Sequence, residues 1–148
     1  MIRTIHPIAG IAAFLIILVF WTSTVAVEIG GDAGAILAVK TGILWGMLAL
    51  IPAMAIVGGT GFRLGGKWRH PRILAKKKRM PVIALNGLLI LVPSAFFLQS
   101  RAAAGDFSGA FVAVQALELV AGAVNLALIG LSIRDGLAVG RKASAKAV

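Results

Sequence analysis

The sequence predicts an all-α fold, a bundle of four transmembrane helices with both termini in the cytoplasm. Hydrophobic residues make up 59% of the 148 and charged residues 14%, with a mean hydropathy of +0.98. Soluble domains are roughly half apolar and a quarter charged. The apolar residues fall in four runs without strand-like alternation, and hydrocarbon holds no water to satisfy a backbone, so long apolar runs become helices. The third observation is the placement of lysine and arginine, which orients the bundle. One domain, residues 1–148, follows.

The first span is expected over 8–27, bounded by His6, Pro7 and Glu28. A cleaved leader is its rival reading, since Thr24, Val25 and Ala26 offer small residues. The run is longer than a signal's apolar region and has only Arg3 before it, which favours a retained helix. The second span is expected over 35–57, ending at the glycine-rich Gly58 to Gly61. The third is read as starting at Pro81 and running over 81–100, the fourth over 110–133. At 1.5 Å per residue each crosses a hydrocarbon core of about 30 Å.

Between spans two and three, the basic loop 62–80 holds Arg63, Lys67, Arg69, Arg72, Lys76, Lys77, Lys78 and Arg79. The other two loops carry Glu28, Asp32 and Asp106 against Arg101. The positive-inside rule puts the long loop and both termini in the cytoplasm, and Arg3, Arg134, Arg141, Lys142 and Lys146 agree. The net charge of +10 therefore reflects topology and contact with anionic headgroups; nucleic acid is not an expected partner.

No cysteine is present, which excludes disulfides, thiolate metal sites, c-type haem attachment and a cysteine nucleophile. Two histidines exclude a multi-histidine metal centre. No catalytic constellation stands out.

Polar residues inside the spans are the informative ones. Gln115, Glu118, Gly122, Asn125 and Ser132 recur at helical steps and share a stripe. Glu118, Gln115 and Lys40 fall about 8 to 12 Å in from the periplasmic ends of their helices and can form one layer. Asn86 and Asn125 lie nearer the cytoplasmic face and can form a second. A carboxylate at such depth is paired, protonated or facing water. Glu118 is either a structural partner of Lys40 or Gln115, or a proton relay or substrate contact. Gly42 and Gly46 form a GxxxG that serves packing within the bundle or a dimer face. Pro52 and Pro93 are expected to kink their spans.

Each histidine precedes a proline, His6 before Pro7 and His70 before Pro71. Proline is favoured at the first helical position, so His6 is expected at an N-cap, where the positive end of the helix dipole favours a neutral ring. Such a ring is a cap, a metal ligand or an axial ligand to haem. Gly10, Ala13, Ile17, Trp21 and Thr24 continue the face below His6, and small Gly10 and Ala13 can admit a flat macrocycle or a neighbouring helix. Opposing axial candidates at this level are His70, Met80 and Met54.

The stretches HPIAG (His6 to Gly10), VKTGILWG (Val39 to Gly46), KKKRMPVIALNG (Lys76 to Gly87), VQALELVAGAVNL (Val114 to Leu126) and IRDGL (Ile133 to Leu137) resemble a group of small, uncharacterised bacterial inner-membrane proteins. The resemblance spans most of the chain; it implies four helices and a bacterial inner membrane, and carries no activity with it.

Three functions from different classes remain. One is binding of haem b for membrane electron transfer through His6. Another is a non-enzymatic accessory or assembly subunit, in a larger membrane complex or a homo-oligomer. The third is a small proton-coupled carrier with Glu118 and Lys40 in its path.

Overall fold

The computed structural model describes residues 1–66 and 71–144, and those residues are almost entirely helical. Helix α1 spans Ile2–Gly30 and α2 spans Ala33–Gly65. The third span is one continuous rod made of α3 (Pro71–Asn86), a π-helical turn (Gly87–Leu91) and α4 (Val92–Ala103). Helix α5, Gly109–Ser144, is the fourth. All four rods are long and apolar enough to cross a membrane.

The helices run well past the expected spans, and three boundaries change meaning. In α1 the Met1 carbonyl already accepts the Thr4 and Ile5 N–H groups, so helix is established before Pro7. His6 is therefore inside the helix rather than at its N-cap. Residues 71–80 are not loop: the third span starts at Pro71, a favoured first position, and its lysines and arginines are good helix formers. Pro81 consequently lies within α3, not at its beginning. Of the expected loop 62–80, residues 62–65 complete α2, and 67–70 lie outside the described residues.

The α1–α2 turn is set by local chemistry. Gly31 takes a left-handed φ of 67°, which costs glycine no Cβ clash, and closes α1 through a hydrogen bond to the Val27 carbonyl. Asp32 then caps α2, its carboxylate accepting the Ala35 N–H at 2.6 Å. Of the two expected kinks, Pro52 sits in an unbroken α2. Pro93 follows the π-helical turn, where the Val92 N–H reaches back five residues to Gly87. A proline has no N–H to give, and a π-turn is one way a helix absorbs that lost register.

Packing joins α1 to α2 and α5, and α5 to both halves of the third span. The core comes in layers: Ile36, Leu98, Ala102 and Phe111 near the acidic connections; Ile43, Met47 and Ala95 below them; and Ile17, Ile83 and Ile129 toward the basic end. Large apolar side chains such as Trp45, Leu48, Leu89, Phe96 and Val120 point outward, the arrangement a lipid solvent favours. The GxxxG pair divides: Phe20 packs so closely over Gly46 that a Cβ would collide with its ring, whereas Gly42 meets nothing. Gly46 thus serves contact between α1 and α2.

Candidate functional site

Polar side chains gather at three levels of the bundle. Nearest the acidic connections, Lys40 of α2 donates to Glu118 Oε2 of α5 at 2.6 Å, with the lysine side chain wholly buried. Gln115, one turn away on α5, donates its amide N–H to the same oxygen at 3.2 Å. Glu28 of α1 joins this layer, within electrostatic reach of Lys40 and Glu118. Two oxygens here, Glu28 Oε1 and Gln115 Oε1, are buried with no hydrogen-bond partner among the described residues.

The middle level is a hydrogen-bonded seam. Asn86 of α3 donates to the Ala121 carbonyl at 2.8 Å and to Asn125 Oδ1 at 2.9 Å, and Asn125 in turn reaches the Ile83 carbonyl at 3.4 Å. Trp21 adds a link from α1, its indole N–H donating to the Leu119 carbonyl at 2.9 Å while its ring covers Gly122. A cavity of about 440 Å³ lies between these levels, lined by Trp21, Thr24, Met47, Glu118, Gly122 and Asn125 among others.

At the basic end a second cavity, of about 670 Å³, is lined by His6, Gly10, Ala13, Met54, Lys76 and Met80 among others. Five of the six residues nominated for a cofactor from the sequence thus share one space; the sixth, His70, lies outside the described residues. The two cavities have Met54 and Ile83 in common, so those side chains form the partition between them. Both cavities have the size of small-molecule sites, about 300 to 1,000 Å³.

The His6 ring is held on both sides. Its Nδ1 lies 2.8 Å from the Thr60 hydroxyl oxygen, and that hydroxyl gives its own proton to the Ile56 carbonyl one turn back. With that proton committed, Thr60 can accept from Nδ1–H, the tautomer that leaves the Nε2 lone pair free to accept. Lys76 Nζ sits 2.9 Å from that Nε2 and donates into it. A neutral ring is the form these two contacts accommodate, and the groups around it are a threonine and a lysine rather than the expected helix end. Met80 and His6 both abut Gly61, where an added Cβ would lie 3.3 Å from His6 Cε1 and 3.4 Å from the Met80 methyl.

No family model, curated protein or solved structure matches the chain. Its own geometry therefore has to carry any functional reading. The alternative of a metal other than haem at His6 gains no support, since no group of three or more histidine, cysteine, aspartate or glutamate side chains is gathered among the described residues.

Four participants are not singled out as site residues by the sequence reading. Thr60 lies in a glycine-rich stretch read as a span end; Lys76 and Glu28 are read as topology charges. Asp135, which accepts from Arg79 at 2.7 Å and ties α5 to α3, appears there only within a resemblance. The signals were present. Glu28 stands four residues beyond Thr24 and extends the Ile17, Trp21 and Thr24 face, while Lys76, Met80, Ile83 and Gly87 step by helical intervals once the third helix begins at Pro71.

Proposed function

We propose that this is a bacterial inner-membrane protein, with both termini and the basic connection in the cytoplasm, that binds haem b in the basic-end cavity for membrane electron transfer. The observation that carries the reading is the His6 ring held between Thr60 and Lys76 in the wall of a cavity that Gly10, Ala13, Met54 and Met80 also line. Histidines that hold metals are typically oriented in this way, by a partner on the other ring nitrogen. His6 would hold the iron through Nε2, with Met80 or Met54 as a second axial donor. Gly10 and Ala13 leave room beside the ring, and Lys76, displaced from Nε2, would meet a propionate carboxylate. Bound haem supplies one-electron chemistry; the protein supplies its axial donors, its anchoring cation and an apolar wall.

An absorption spectrum of detergent-purified protein expressed with ample haem tests this. A Soret band is expected, with a reduced-minus-oxidised difference that reports the axial set. His6→Ala should abolish or shift it at unchanged helix content. Thr60→Val should weaken haem retention roughly 10- to 100-fold, the usual cost of removing a ligand's orienting partner. Colourless protein, or the same spectrum without His6, would overturn the reading and leave the accessory-subunit function in its place. The orientation is tested separately: alkaline phosphatase fused near Gly105 should be active and after Gly140 inactive, and the reverse pattern would invert the topology.

A further inference from the structure

The acidic-end layer contains more carboxylate than its lysine can neutralise. Glu28 comes from α1, Lys40 from α2, and Gln115 and Glu118 from α5. Lys40 and the Gln115 amide N–H are both committed to Glu118 Oε2. What remains is a pair of buried acceptors, Glu28 Oε1 and Gln115 Oε1, without partners among the described residues, and Gln115 is only 5% exposed.

Turning the Gln115 amide over does not help. Its carbonyl would then face the Glu118 carboxylate, an acceptor set against an acceptor. The surplus is therefore one of oxygen lone pairs, and also of charge: two carboxylates share one ammonium in apolar surroundings. The other charged groups at this end are engaged elsewhere. Asp32 caps α2, and Arg101 of α4 pairs with Asp106 in the connection to α5.

We infer that this layer is a proton-binding site, in which Glu28 takes one proton and holds it against the Gln115 carbonyl oxygen. One proton converts the Glu28 carboxylate to a carboxylic acid, so that an acceptor becomes a donor for the neighbouring amide oxygen. The same proton cancels the excess negative charge and leaves the Lys40–Glu118 pair as a neutral unit. Glu28 is half-buried and stands less than a turn from the end of α1 at Gly30, which lets it exchange its proton with water on that face. The cavity lined by Thr24, Glu118 and Asn125 leads inward from this layer to Met54 and Ile83. The site loads a proton from the acidic-end aqueous phase, and it stands independently of whether the other cavity takes haem.

Infrared difference spectroscopy of purified full-length protein, titrated with pH, tests the inference. Wild type should show the carbonyl stretch of a protonated carboxyl group at neutral pH. Glu28→Gln should remove that band, and Gln115→Leu should shift it to higher frequency by taking away its acceptor. Should Glu28→Gln fail to fold, the Gln115→Leu shift reports on the same hydrogen bond. No such band in wild type, a band unchanged in Glu28→Gln, or one unmoved in Gln115→Leu would overturn the site.

Discussion

A lysine is drawn into the bundle at each end, and the two are used differently. Lys40 meets a carboxylate 2.6 Å away and is sealed in, whereas Lys76 leans 2.9 Å from an imidazole lone pair at the wall of a cavity. The acidic-end lysine completes its charge within the protein. The basic-end lysine brings its charge to a space a ligand can enter. Burial explains the contrast: a fully desolvated ammonium needs a counter-charge, while one near the end of a helix keeps access to headgroups and water.

The most direct way to break this comparison is to remove the sealed partner. Glu118→Gln removes the carboxylate that contacts Lys40, leaving Glu28 as the second acid of the layer, and should cost up to about 3 to 5 kcal/mol, read as a lowered melting temperature in detergent. Lys40→Met together with Glu118→Gln should recover most of that loss, because the buried charge leaves with its partner. Simple addition of the two single effects would show the residues uncoupled and remove the contrast between the ends.

The middle seam should respond less. Asn86→Leu removes two interhelical hydrogen bonds and leaves Asn125 Oδ1 without its donor. Hydrogen bonds between membrane helices are worth about 0.6 kcal/mol on average and up to about 1.7, so a loss near 1 kcal/mol is expected. A loss as large as that of Glu118→Gln would make the asparagine seam, not the ion pair, the main polar tie of the bundle.

Lys76→Met sharpens the comparison from the other side. The lysine ends at a cavity rather than in a packed layer and gives up one hydrogen bond, to His6, so its removal should cost about 0.5 to 1 kcal/mol. On the proposed haem-binding reading the consequence is in ligand retention: haem-loaded protein carrying this substitution should lose its haem more readily than wild type while melting at nearly the same temperature. Strong destabilisation would instead mark Lys76 as a structural group like Lys40.

These contrasts were only partly legible in the sequence. Four apolar rods were, because hydrophobic length alone decides whether a helix can span a bilayer, and the spacing of Gln115, Glu118 and Asn125 put those residues on one stripe. Depth counting also put Lys40 and Glu118 in one layer. Charge misled where it was read as a loop signal. Lysine and arginine favour helix, and a span can carry them for several turns beyond the hydrocarbon, so the third helix begins at Pro71 rather than Pro81 and Lys76 becomes part of a face. Glu28 shows the same error at the other end, where a carboxylate taken to mark the end of a span turns back into the bundle. Which nitrogen of His6 carries the proton depends on Thr60, 54 residues away, and no local pattern encodes that.

The smallest expected effect lies outside both layers, in the connection before α5. Asp106 pairs with Arg101 and its Oδ1 accepts the Ser108 N–H at 3.0 Å, so it gathers charge as Glu118 does, but in water. The hydrogen bonds from Ser108 and then the Arg101 guanidinium hold its carboxyl below the usual aspartate range. A carboxyl group depressed by folding contributes stability that is present above its unfolded value and disappears as pH falls through the lower, folded one. Solvent screens this partly exposed pair, so the contribution is small. Asp106→Asn should lower the melting temperature slightly at neutral pH, and added salt should shrink that difference by screening the pair in wild type. Below both values the wild-type carboxyl is protonated and the two proteins should melt together. A difference at neutral pH as large as that of Glu118→Gln would mean that a hydrated pair can matter as much as a sealed one, and the distinction drawn between the lysines would lose its physical basis.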